Sequence, residues 1–203
     1  MKPLIKICGI NDIDILDELV MIDGITFLGF IFYDKSPRNV TNNFLEKINK
    51  FDFKDKKPVC VYVNADRDFI NETSSNFRNP ILQFHGDESN DFCSDFNKDF
   101  WKVIKVKDNE SIKDYVNYPN ASKILFENYK KGQHGGTGSS FNWDLINNIK
   151  DLDTKFILSG GINIKNVDNA IDIKPWCLDV NSGVESSPGK KDIRLIQNLL
   201  NKI

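Results

Sequence analysis

The chain has 203 residues and a formal net charge of −2, with 40% hydrophobic, 11% aromatic and 28% charged residues. This is the composition of a single soluble domain with a real core, and it excludes collagen-like, disordered and disulfide-framework classes. The near-neutral charge argues against a nucleic-acid-binding protein, and no apolar run approaches the roughly 20 residues that span a membrane.

Eight short apolar runs predict eight strands. They occupy residues 4–8, 26–32, 58–63, 81–84, 101–106, 123–126, 156–158 and 176–180. Most are continuous rather than alternating, which is typical of strands buried on both faces of a parallel sheet.

Amphipathic segments lie between these runs. Asn11 is expected to cap a first helix that ends at Gly24, and the last segment repeats apolar residues with the same helical period. Weaker patterns predict helices at 42–49, 67–77, 88–96, 110–116, 143–149 and 164–171. Eight strand–helix units predict an α/β fold, a (β/α)8 TIM barrel formed by residues 1–203 as one compact domain. The structural alternative is an open doubly wound sheet, but its glycine-rich turn usually follows the first strand, whereas here such turns come late.

Residues suited to chemistry concentrate directly after the apolar runs. They include Cys8-Gly9, Tyr33 to Arg38, His85-Gly86-Asp87, Glu127, Ser159-Gly160-Gly161 and Asn181-Ser182-Gly183. In a barrel these points meet at the C-terminal face of the strands, where active sites lie. The pattern therefore predicts an enzyme.

The glycines that follow the seventh and eighth runs predict a phosphate site. A backbone without Cβ lets N–H groups approach an oxyanion, and barrels often hold phosphate between these two loops. The candidate phosphate-binding residues are Gly160, Gly161, Ser182 and Gly183.

The four cysteines are scattered, and their spacing with only two histidines predicts no metal site. Cys60 and Cys177 are expected in strands of the core and Cys93 in a helix, all as free thiols. The N-terminal residues lack the apolar stretch of a signal peptide, so a cytoplasmic location is expected. Cys8 differs from the other three because it ends a strand and Gly9 follows it at once.

A set of motifs resembles the phosphoribosylanthranilate isomerase family of tryptophan biosynthesis, in the family's order along the whole chain. The motifs are Lys6-Ile7-Cys8-Gly9-Ile10, Gly29-Phe30-Ile31-Phe32-Tyr33, Lys35-Ser36-Pro37-Arg38, Gln83-Phe84-His85-Gly86-Asp87-Glu88, Gly135-Gly136-Thr137-Gly138, Phe141-Asn142-Trp143, Ser159-Gly160-Gly161-Ile162 and the segment from Asp179 to Gly189. The resemblance implies a small (β/α)8 barrel that needs no cofactor. It also implies a phosphosugar substrate, which is converted by an acid–base Amadori rearrangement.

The resemblance implies a role for four residues. Cys8 matches the general base, and Glu127 stands where the family has an aspartic acid as the general acid. Arg38 matches the ligand of the anthranilate carboxylate, and Asp179 the residue that hydrogen-bonds the sugar hydroxyls. His85, at the same face, is a candidate substrate-binding residue, and it has either a positioning role or the structural role of anchoring a loop. The glycine-rich segment 135–138 is expected to close over the substrate.

Several alternatives stay open at the level of sequence. A histidine-pathway isomerase would pair two aspartic acids, and a neighbouring tryptophan-pathway synthase would need a catalytic lysine, for which Lys105 is a candidate. A third alternative is a sugar-phosphate-binding relative in which the change to Glu127 has weakened catalysis. The protein is expected to be a monomer or a homodimer.

Overall fold

Eight parallel strands close into a barrel in sequence order. The structure is a computed structural model that describes residues 2–129, 142–147 and 156–203. The strands are β1 (Leu4–Cys8), β2 (Phe27–Phe32), β3 (Lys57–Tyr62), β4 (Ile81–Phe84), β5 (Phe100–Val106), β6 (Lys123–Asn128), β7 (Ile157–Leu158) and β8 (Cys177–Val180). The predicted (β/α)8 barrel is confirmed, and the open sheet is wrong because β8 pairs with β1.

Helical segments follow the strands on the outside of the barrel. They are α1 (Ile13–Leu19), α2 (Asn42–Ile48), α3 (Arg67–Ser74), α4 (Asn90–Ser94), α5 (Asp144–Asn147), α6 (Val167–Asp172) and α7 (Ile193–Leu200). The segment predicted as a helix at 110–116 is a 3₁₀ helix, Ser111–Asn117. A second 3₁₀ helix (Ser182–Val184) and the hairpin of β9 (Glu185–Ser187) and β10 (Lys190–Lys191) lie between β8 and α7. The predicted loop at 135–138 lies outside the described residues.

The first helix begins one residue later than the sequence predicts. Asp12, rather than Asn11, is its N-cap, because the Asp12 carboxylate accepts a hydrogen bond from the backbone N–H of Asp14 at 2.9 Å. The Asn11 side chain instead donates to the carbonyl oxygen of Pro37 at 3.5 Å. The helix also ends before Gly24, which has a φ of +88° in the turn that leads to β2.

Aromatic rings fill the barrel interior near the N-terminal ends of the strands. Phe27 meets Trp101 edge to face at 5.0 Å between ring centroids, and Trp101 meets Trp176 in the same manner at 6.1 Å. The packed rings fill the interior between these strand ends. The polar side chains that line a cavity inside the barrel, such as Gln83 and Glu127, lie at the opposite end.

A second cluster of rings joins the barrel to its outer helices. Phe30 is fully buried on β2 and contacts the rings of Phe44, Phe53 and Phe77 at centroid distances of 5.9, 5.9 and 4.9 Å. Phe44 lies on α2, so Phe30 ties that helix to the sheet. Such aromatic contacts add packing energy to the burial of apolar area.

Replacing Phe30 with Ala should lower the free energy of unfolding by about 3–5 kcal/mol, because the change leaves a cavity between β2 and its helix. Phe69→Ala is the matched control, since that ring is 40% exposed and its loss should cost clearly less. Urea unfolding of both variants measures the difference. An equal loss in the two would contradict the central place of Phe30 in this cluster.

Candidate active site

A cavity of about 380 Å³ opens at the C-terminal ends of the strands. Five residues predicted from the sequence line it, namely Cys8, Arg38, His85, Glu127 and Asp179. They come from different strands or the loops after them, so the barrel brings together residues that are far apart in the chain. All five are at least nine-tenths buried. The cavity is the candidate active site.

A buried ion pair joins the first and last strands on the wall of this cavity. Lys6 and Asp179 are directly opposite in the register of β1 and β8, and Lys6 Nζ donates to Asp179 Oδ1 at 2.9 Å. Lys6 is fully buried, and Ser159 Oγ lies 3.3 Å from Asp179 Oδ2. The pair therefore holds Asp179 in place with one carboxylate oxygen in a strong hydrogen bond.

Cys8 lies two residues after Lys6 on the same face of β1, so both side chains point into the barrel. Gly29, its partner in the register of β2, makes the space for them. A Cβ atom on Gly29 would lie 2.8 Å from Cys8 Sγ and 3.0 Å from Lys6 Cε. A side chain on Gly29 would thus force the thiol and the lysine to move.

Two opposing effects set the charge of the Cys8 thiol. Burial raises its pKa above the ordinary thiol value, while the positive charges of Lys6 and Lys191 act in the opposite direction. The pKa of Lys6 itself is raised, because attraction to Asp179 and Cys8 outweighs the effect of its burial. Lys6 therefore stays an ammonium group next to the thiol and favours its deprotonated form.

Glu127 and His85 form a pair inside the cavity at the C-terminal ends of the strands. Glu127 is the penultimate residue of β6, and His85 directly follows β4. His85 Nε2 and Glu127 Oε2 are 2.5 Å apart, so the two side chains are joined by a hydrogen bond. Of the two roles open for His85, this contact favours positioning, since the ring orients the side chain expected to give up a proton.

Arg38 lines the cavity, and its guanidinium is already bound to a carboxylate of the protein. Its Nε and Nη2 atoms donate to Glu185 at 2.8 and 2.6 Å. That Arg38 binds a carboxylate of the substrate stays a prediction. Because Nε and Nη2 already donate to Glu185, the remaining N–H groups of the guanidinium would have to donate to the substrate.

The four predicted phosphate-binding residues lie just beyond the cavity wall. Gly160 and Gly161 follow Ser159, and Ser182 and Gly183 follow Asn181, and both preceding residues line the cavity. Gly160 and Gly161 have φ values of +94° and +67°, a backbone conformation that residues with a side chain rarely adopt. A Cβ on Gly183 would lie within 2.0 Å of the carbonyl oxygen of Ile162, so the two loops are in direct contact. The phosphate role stays a prediction.

The sequence did not single out Lys6 and Glu185 as functional residues. Lys6 could have been found as a charged residue inside an apolar strand, two positions before Cys8. Glu185 carried no such signal, because its partner Arg38 is 147 positions away. The other thiols lie as predicted, buried in β3, α4 and β8. Across residues 2–129, 142–147 and 156–203, no group of three or more His, Cys, Asp or Glu side chains is arranged to hold a metal ion.

The fold and the cavity define a class, a (β/α)8-barrel enzyme with a buried thiol and a buried carboxyl group on the walls of one cavity at the C-terminal ends of the strands. A family model described as N-(5′-phosphoribosyl)anthranilate (PRA) isomerase matches residues 5–202. The chain belongs to the N-(5′-phosphoribosyl)anthranilate isomerase family.

Individual relatives agree with this membership. The chain is 39% identical over 200 residues to N-(5′-phosphoribosyl)anthranilate isomerase from Geotalea uraniireducens, covering 98% of this chain and 97% of the relative. It is similar to a monomeric form of the dimeric isomerase of Thermotoga maritima, with a TM-score of 0.84, 30% identity and coverage of 100% and 97%. A PRA isomerase in complex with reduced 1-(o-carboxyphenylamino)-1-deoxyribulose 5-phosphate matches with a TM-score of 0.82, 30% identity and coverage of 99% and 97%.

The environment of Cys8 gives a prediction for its titration. The thiolate should form only as the pH rises through a pKa above the ordinary thiol range, and Lys6→Met should move that step to still higher pH because a nearby positive charge is lost. The ultraviolet absorbance of the thiolate, taken as the difference from a Cys8→Ser variant, measures the step.

Lys105→Met is the matched control for this titration. Lys105 is a half-buried lysine on β5 whose charged group lies 4.0 Å from Asp87. Its loss should leave the pH at which the Cys8 thiolate forms unchanged. A step that stays unchanged in Lys6→Met, or that moves equally in both variants, would contradict the proposed influence of Lys6.

Proposed function

We propose that the protein converts N-(5-phospho-β-D-ribosyl)anthranilate into 1-(2-carboxyphenylamino)-1-deoxy-D-ribulose 5-phosphate, in tryptophan biosynthesis. Family membership over nearly the whole chain supports the reaction. The observation that carries the mechanism is the placement of the Cys8 thiol and the Glu127 carboxyl group on the walls of one cavity. One group can accept a proton from the sugar while the other donates one.

The proposed reaction begins at Glu127. Its carboxyl group protonates the ring oxygen of the ribose, the C1–O bond breaks, and the nitrogen lone pair forms the Schiff base with C1. The hydrogen bond to His85 Nε2 holds the carboxyl group in one orientation during this transfer.

Cys8 completes the rearrangement. Its thiolate removes the proton from C2, and the electron pair of that bond moves to form the enolamine, which tautomerises to the ketone. Lys6 stabilises the thiolate through its charge and keeps Asp179 in position for the sugar hydroxyls. The phosphate is held by the loops that contain Gly160, Gly161, Ser182 and Gly183.

The same proposal covers the location, the domain organisation and the oligomeric state of the enzyme. We place it in the cytoplasm as one domain formed by residues 1–203, a monomer or a homodimer, acting on a small phosphosugar. The dimeric relative from Thermotoga maritima supports the second of these oligomeric states. Within the described part of the chain, no helix is both long and apolar enough to cross a membrane.

Glu127→Gln should abolish turnover, because an amide of nearly the same shape has no acidic proton to give. Glu127→Asp should keep measurable activity, reduced by the shorter reach of its carboxyl group. The assay generates the unstable substrate in situ and follows its loss. Equal activity of Glu127→Gln and the unaltered enzyme would remove Glu127 from the mechanism.

Cys8→Ala should also lose turnover, by at least about 100-fold, which is the lower range for removing a general base. It should keep its affinity for a reduced product analogue, since the thiol is not expected to bind the phosphate or the carboxylate. Calorimetric titration gives that affinity, and Cys93→Ala, which changes a thiol buried in α4, serves as the control. Unchanged turnover in Cys8→Ala would refute the assignment of the base.

A further inference from the structure

Arg38 is held by a carboxylate that lies far away in the sequence. Glu185 lies on β9, in the connection after β8, and its two oxygens accept from Nε and Nη2 of Arg38 at 2.8 and 2.6 Å. The Arg38 side chain is 8% exposed and that of Glu185 is 3% exposed. Two parallel hydrogen bonds fix the plane of the guanidinium as well as its position.

Further donors hold Glu185 itself. Lys191 Nζ donates to Glu185 Oε1 at 2.5 Å and to Asn181 Oδ1 at 2.8 Å, and the backbone N–H of Gly189 donates to Oε2 at 3.3 Å. Although burial alone would raise the pKa of Glu185, the hydrogen bonds from Arg38 and Lys191 lower it below its usual value. Glu185 is therefore a carboxylate anion at neutral pH, and it has little freedom to turn.

The backbone leaves a passage for Arg38 directly beside the proposed base. Gly9, which follows Cys8, has a φ of +78°. A Cβ at Gly9 would lie 2.7 Å from Arg38 Cδ and 2.8 Å from Asn181 Oδ1. The missing side chain lets the arginine stem pass the residue that directly follows Cys8.

The charges of this group do not cancel. Two cations, Arg38 and Lys191, surround the single carboxylate of Glu185, so this group of three keeps one positive charge, and Arg38 is the member that lines the cavity. The bidentate contact uses Nε and Nη2, which leaves the Nη1 group and the second N–H of Nη2 for another partner. One excess charge and one free guanidinium edge match a single planar carboxylate.

We propose that Glu185 is a positioning residue for the substrate: it sets the guanidinium of Arg38 at the angle that receives the aryl carboxylate, and Lys191 preserves the net positive charge. The proposal rests on the proposed function, since an aryl carboxylate is part of that substrate. Glu185 itself contacts Arg38 and not the reacting atoms.

Direct binding of two probes, anthranilate and inorganic phosphate, to Glu185→Gln tests this. The amide keeps the shape of the side chain but loses its charge and one acceptor. The dissociation constant of anthranilate should rise at least about tenfold, while that of inorganic phosphate should change less than about twofold. Steady-state assays should show an increase in KM that is larger than the decrease in kcat, as expected for lost ground-state binding.

Two further variants guard against loss of structure. Glu185→Asp keeps the charge and should weaken anthranilate binding less than Glu185→Gln, and it serves as the test if the amide variant does not fold. Asp95→Asn breaks an exposed ion pair of the same kind, Arg67–Asp95 at 2.6 Å, whose side chains are 45% and 57% exposed. This control should change neither dissociation constant.

Unchanged anthranilate binding in Glu185→Gln would overturn the proposal, and so would an equal loss for both probes, which would indicate general damage. Turnover by the unaltered enzyme is measured in the same preparation. Absence of that turnover would refute the proposed function, whereas the binding comparison judges Glu185 independently of turnover.

Discussion

The buried ion pair between Lys6 and Asp179 is the interaction on which the candidate site depends. It lies where the last strand pairs with the first, so it joins the two ends of the barrel at the depth of the cavity. An ion pair in such a place contributes little net stability, but breaking it leaves a buried charge without a partner. Its value here is positional, because it holds the side chain of Asp179 on β8 against β1 and keeps a cation beside Cys8.

The fold could be predicted from the sequence because its signals are local. Apolar runs, most of them continuous, marked all eight strands, and turns rich in polar residues marked their C-terminal ends. The errors were also local. Competition between neighbouring side chains decided that Asp12 rather than Asn11 caps α1, and the pattern at 110–116 could not distinguish an α-helix from a 3₁₀ helix.

The site was predictable only in part, for a physical reason. Cys8 is the last residue of β1, Glu127 and Asp179 are the penultimate residues of β6 and β8, and a barrel places the C-terminal ends of all its strands at one face. Pairing between side chains is not encoded by any spacing along the chain. The contact of His85 with Glu127 depends on the relative heights of β4 and β6, and that of Arg38 with Glu185 on the path of two loops.

The burial of Cys8 also bears on how the resting enzyme meets oxidants. Peroxides and disulfides react with thiolates, and a thiol whose pKa is raised by burial presents little of that form at neutral pH. The other three cysteines are buried as well. Cys8 alone of the four lines the cavity, so under the proposed mechanism it is the sulfur at which oxidation would stop turnover. The burial that raises the pKa of this thiol therefore also protects the residue proposed as the base from oxidation.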